Sequence, residues 1–309
     1  MMLRTLPALR PLAAGLALAL LAACGGGGAA SQAAHSGEAL AAPLNQAHAH
    51  NDYEHPRPLY DALSQGFMSV EADVFAAPLP AALAALLPAG APLSELYVAH
   101  DPQDIRPERT LRNLYLEPLW ALFEARGEIL PGQRQPLQLL IDFKTEAETT
   151  WALLAPQLED YAPMLSRYAD GVVEPGAVSV VISGNRPTAT LAALGTRLAF
   201  IDGRLPDLDN PQPATLVPLI SDNWGNHFGW RGEGPVPAED AAKLERVLRE
   251  AHGLGARVRF WATPDAPGPA REALWGVLAD AGLDHINTDD LEGLAAFLRA
   301  RESGETREP

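Results

Sequence analysis

Short apolar runs alternate along the chain with longer stretches in which apolar residues recur every three to four positions. The runs at 46–50, 69–75, 96–100, 137–143, 178–183, 198–202, 217–221, 258–262 and 285–288 read as strands. Helical spacing recurs at 59–65, 117–126, 146–158, 188–194, 238–251, 270–281 and 291–301. The clearest helix, 238–251, has Pro237 at its start and Gly253 as its expected stop. Strand, helix, strand, repeated, predicts a parallel sheet with helices outside. Residues 45–301 approach the roughly 250 residues of one closed (β/α)8 barrel. The expected fold is therefore α/β, a single-domain TIM barrel. No glycine-rich phosphate loop follows the first run, which argues against a nucleotide-binding doubly wound sheet.

The N-terminus changes the domain picture. Residues 1–23 carry Arg4 and Arg10, then an apolar run and small residues, the pattern of a signal peptide too short to span a bilayer. The junction Leu21-Ala-Ala-Cys24 resembles a bacterial lipobox, and Cys24 is the sole cysteine. The expectation is a lipid anchor at Cys24 and a flexible tether over 24–44. The protein would then be exported to the periplasmic face of a bacterial membrane, with Gly25 favouring the outer membrane. Residues 302–309 read as a frayed tail. A lone cysteine allows no intramolecular disulfide. The formal charge of −16 repels nucleic-acid phosphates and anionic lipid alike, so no nucleic-acid partner is expected.

The strand ends carry the chemistry. Residues two apart on a strand share a face. His48 and His50 therefore point together, as do Glu71 and Asp73, and Asp142 and Lys144. Glu71, Asp73 and Asp142 offer hard oxygens suited to one divalent cation, Mg2+ or Ca2+. His50 and His100 can flank a phosphate as acid and base. Lys144, one of only two lysines beside Lys243, supplies a compact charge rather than a fork. Asn223 and Trp261, at or just past later strand ends, are candidates for substrate contact with His48. Asp289 and the Asp202–Arg204 pair are equally compatible with structural roles.

His48-Ala-His-Asn-Asp-Tyr53, Glu71-x-Asp73 and the His100 strand resemble the pattern of phosphatidylinositol-specific phospholipases C and glycerophosphodiester phosphodiesterases. The start is most similar to the branch typified by altered inheritance of mitochondria 6. Leu139-Leu-Ile-Asp-Phe-Lys-Thr145 looks like the metal-bearing strand of sphingomyelinase D type enzymes, and Arg259-Phe-Trp-Ala-Thr-Pro264 like the aromatic seventh strand of that superfamily. The resemblance implies a TIM barrel and a divalent cation on Glu71, Asp73 and Asp142. It also implies acid/base histidines at His50 and His100 and a small-molecule or lipid phosphodiester as substrate. Asn51 matches a calcium-binding asparagine of the phospholipase branch. Asn51 and Asp142 stand where glycerophosphodiesterases carry arginine and usually glutamate, which points away from glycerophosphodiesters as the particular substrate. Two rival readings remain: a transition-metal hydrolase using His48-x-His50, and a ligand-binding envelope lipoprotein without catalysis.

Overall fold

In the computed structural model, which describes residues 40–87 and 93–304, alternation of apolar and polar positions builds one nine-stranded sheet. Its strands are β1 (Leu44–Ala49), β2 (Phe67–Pro78), β3 (Ser94–Val98), β4 (Leu137–Phe143), β5 (Val178–Gly184), β6 (Ala199–Gly203), β7 (Leu219–Asn223), β8 (Arg257–Trp261) and β9 (His285–Thr288). All but β3 pair in parallel, and β1 bonds to both β2 and β9, which closes a TIM barrel. The helices of more than one turn are α1 (Tyr60–Ser64), α2 (Glu117–Arg126), α3 (Ala147–Asp160), α4 (Thr188–Ala193), α5 (Ala238–Leu254), α6 (Pro269–Asp280) and α7 (Leu291–Glu302). Among the described residues no helix is long and apolar enough to cross a membrane.

The alternation on β4 shows how sequence becomes layers. Leu139, Ile141 and Phe143 join the core shared with the helices, whereas Leu140 belongs to a separate cluster with Val181, Phe200 and Leu219. That second cluster occupies the middle layer of the barrel interior along β4 to β7. Each such fully buried side chain contributes roughly 1.5–3 kcal/mol. The other half of the interior, on β1, β2, β8 and β9, is polar: His48, Ser69, Glu71, Arg259, His285 and Asn287 are all buried there. At mid-height the interior is thus apolar on the β4–β7 side and polar on the other, while Asp142, Ser183, Asp202 and Ser221 make the layer above the apolar cluster polar.

Two local expectations are corrected. The run ending at His100 is not a barrel strand. Its β3 pairs antiparallel with β2, from Val74 opposite Val98 to Pro78 opposite Ser94. β2 continues past its last rung with β4, Val74 opposite Phe143, and the chain returns along that extension. Helix α5 runs through Gly253 and stops at Gly255, whose φ of 80° is the left-handed conformation that ends helices. A small antiparallel sheet of Arg167–Ala169, Val172–Glu174 and Thr196–Arg197 closes the lower end, with Tyr168 and Val173 against the apolar interior. Asp170 and Gly171, at φ 53° and 86°, make its tight turn.

Candidate active site

Register sets the acidic cluster. Asp73 lies opposite Asp142 on neighbouring strands, and Glu71 precedes Asp73 by two residues on the same inward face. Oxygens of the three carboxylates lie within 4.8 Å of one another. Lys144 Nζ stands 3.0 Å from Asp73 and 3.2 Å from Asp142. Burial, with the charge of Glu71, pushes the Asp73 carboxyl up to about 6 despite Lys144 and the Tyr53 hydrogen bond. Burial and the same neighbour raise Asp142. Burial would lift Glu71 too, but the Arg259 guanidinium and a hydrogen bond with His48 overcome it and hold that carboxyl well below the usual range. Asp73 Oδ1 is buried with no hydrogen-bond partner. Three converging hard oxygens, one of them orphaned, with two carboxyls strained toward protonation, fit a hard divalent cation.

The histidines reach this cluster from two directions. His50 leaves the end of β1, and its Nδ1 lies 2.8 Å from Asp289 just past β9. Burial opposes its protonation, but the Asp289 hydrogen bond and Glu71's charge raise its pKa. His100 arrives on the returning β3 strand, where the Ala99 N–H donates to the Asp73 carbonyl. The Tyr53 phenol is 2.7 Å from Asp73 Oδ2, 2.9 Å from Asn51 Oδ1 and 3.0 Å from His100 Nδ1. Its single proton goes best to the carboxylate, so His100 Nδ1–H donates to the phenol oxygen. The Asn51 amide in turn lies 3.2 Å from His50 Nδ1. Asn51 holds φ 47° and ψ 39°, a left-handed position that asparagine tolerates better than most residues. One chain of polar contacts thus links His50, Asn51, Tyr53 and His100, leaving Nε2 of both imidazoles without a protein partner among the described residues.

The remaining candidates separate. His48 is fully enclosed, with Nδ1 2.7 Å from Ser69 and Nε2 3.2 Å from Glu71. Burial and Arg259 lower its pKa to about 3, so it is neutral. The expectation that it touches substrate is corrected: it lies beneath Glu71 and orients it. Asn223 and Trp261 pair across β7 and β8 at the rim, half-buried, with Asn223 Oδ1 accepting from Gly225 N–H. Asp202 accepts from Ser183, Ser221 and Arg204 in a structural network. Sequence reasoning missed Tyr53 and Arg259 as parts of the site. Arg259 carried a signal, because it shares the inward face of β8 with Arg257 and Trp261. Tyr53 closes the His48–Tyr53 motif, but nothing in the sequence signals its place between Asp73 and His100. Outside His100 a cleft of about 660 Å³ opens between the loops at 51–56 and 99–109.

A closed α/β barrel with this polar rim has the architecture of a phosphodiesterase-type barrel. Residues 41–202 match the AIM6-like phosphodiesterase domain, and the chain belongs to that family. Residues 257–292 match the glycerophosphoryl diester phosphodiesterase family. Altered inheritance of mitochondria protein 6 of Eremothecium gossypii is 29% identical over 286 residues, 82% of this chain and 69% of that protein. The homolog from Arthroderma benhamiae is 27% identical over 81% of this chain and 83% of its own length. A solved glycerophosphoryl diester phosphodiesterase from Parabacteroides distasonis aligns over 85% of this chain and 89% of its own with a TM-score of 0.49 and 12% identity.

These relatives correct the expected location. They are fungal proteins, not bacterial lipoproteins, so the placement on the periplasmic face of a bacterial outer membrane does not stand. The lipid anchor gains no support from them. The expected signal peptide and Cys24 lie outside the described residues.

Proposed function

We propose that the chain is a divalent-cation-dependent phosphoric diester hydrolase with His50 and His100 as its acid/base pair. The observation that carries this reading is the polar chain from His50 through Asn51 and Tyr53 to His100, laid beside the three-carboxylate cluster. Glu71, Asp73 and Asp142, with the Asn51 oxygen, would hold Mg2+ or Ca2+, which when bound supplies positive charge to the phosphate oxygens. Lys144 adds a point charge on the same side. One imidazole takes the proton from the attacking hydroxyl or water through its Nε2. The deprotonated oxygen bonds to phosphorus as the P–O bond to the departing alcohol breaks, and the other imidazole gives that alkoxide a proton. Asp289 and Tyr53 hold each ring by Nδ1, so both present Nε2. Arg259 and His48 keep Glu71 ionised and fixed. The substrate is a small-molecule or phospholipid-derived phosphodiester.

The transition-metal alternative needs His48 as a ligand. Both of its nitrogens are already engaged inside the barrel, which counts against it. The test is hydrolysis of a chromogenic phosphodiester by the full chain with Mg2+, Ca2+ or chelator, beside His100→Ala. Cation-dependent turnover should fall by roughly 10²–10⁴-fold in the variant. If phosphodiesters of glycerol, inositol and choline all stay intact while the cation binds, the ligand-binding reading replaces this one.

A further inference from the structure

We infer that the cleft outside His100 is a subsite for an anionic substituent on the substrate, a phosphate or carboxylate on the alcohol that lies on the His100 side. This rests on the phosphodiesterase reading. Arg106 and Arg109 both line the cleft. Their hydrogen bonds go to neutral carbonyls: Arg106 donates to Gln103 and Ile105, and Arg109 to Tyr53. Among the described residues neither is ion-paired with a carboxylate, unlike Lys144 and Arg259 at the acidic cluster. Two guanidiniums with full charge and spare N–H groups are held open in one concave space.

His55 lines the same cleft. Glu54 and Asp104 also border the cleft but are exposed, so solvent screens them more than it screens the half-buried Arg109. Arginine forks match the paired oxygens of phosphate or carboxylate. The cleft adjoins His100, so a group held there belongs to a substrate whose phosphodiester reaches the acid/base pair.

The test uses methylene-phosphonate analogues, which resist cleavage, titrated calorimetrically against the full chain. Glycerophosphoinositol 4-phosphate carries the phosphate, glycerophosphoglycerate the carboxylate, and glycerophosphoinositol neither. Binding of at least one anionic analogue should exceed the neutral one by roughly 10–100-fold, and the stronger of the two names the source. Arg106→Gln and Arg109→Gln should each narrow that ratio by about tenfold. Arg106 is exposed, so its variant remains informative should Arg109→Gln disturb the Tyr53 loop. Equal binding of all three analogues, or a preference that survives both substitutions, overturns the subsite. Hydrolysis of ordinary glycerophosphoinositol is measured alongside. Its absence with the binding preference intact would count against the enzyme reading alone.

Discussion

The guanidinium of Arg259 lies 3.1 Å from the carboxylate of Glu71, with both side chains almost sealed from solvent. Removing one partner of such a pair leaves an uncompensated buried charge, which costs about 3–5 kcal/mol. Arg259→Met should lower the unfolding free energy by that amount, read as a lower urea midpoint with an unchanged slope. A loss below about 1 kcal/mol would mean that His48 alone satisfies Glu71.

Asp289 should tune His50. Its carboxylate raises the His50 pKa, so Asp289→Asn should move the His50-dependent limb of the kcat/KM profile to lower pH. The direction is the same whether His50 acts as acid or base. A profile that keeps both limbs in place would detach Asp289 from the reaction.

Divalent cation should stabilise the fold through the carboxylate cluster. At a hundred times its dissociation constant, Mg2+ or Ca2+ should add about 2.7 kcal/mol to wild-type stability. Asp142→Asn should abolish most of that gain. Equal gains in both proteins would place the cation elsewhere.

Asp52 gives a stability-against-pH signature away from the acidic cluster. It is fully buried, accepting from Leu59 N–H and the Tyr115 hydroxyl on one oxygen while the other has no partner. Burial raises its carboxyl from 3.8 to about 7. Between about pH 4 and 7 the folded chain therefore holds a proton that the unfolded chain has released, and stability falls as pH rises through that window. His48, neutral when folded, gives the opposite slope from about 6.5 down to 3. The difference between wild type and Asp52→Asn isolates the first effect. Parallel stability curves for the two proteins would show that Asp52 titrates normally.

Much of the site was legible because strand alternation is a local rule. Glu71 with Asp73, and Asp142 with Lys144, could be assigned to shared faces from spacing alone. The direction of β3 was not legible, since apolar content does not tell a returning antiparallel strand from a parallel one. Its position was nevertheless recovered, because His100 ends the run either way. Asp289 was visible as a strand-end charge and Arg259 as a residue inside a strand, but their partners, His50 and Glu71, lie far away in sequence and only barrel closure brings them together. Tyr53 sits in a single 3-10 turn, Asp52–Glu54, too short for periodicity. The two- and three-residue strands at the lower end are too short for any pattern.

The divided interior has a consequence for biosynthesis. Its polar half is built from β1 and β2 near one end of the fold and β8 and β9 near the other. Neither the Glu71–Arg259 pair nor the His50–Asp289 pair can form until β8 and β9 have left the ribosome. A nascent chain already holds both histidines and all three carboxylates long before that, but Glu71 then lacks Arg259 and His50 lacks Asp289. Those two side chains gain their partners only when the ring is complete, so a chain truncated before β8 lacks both contacts.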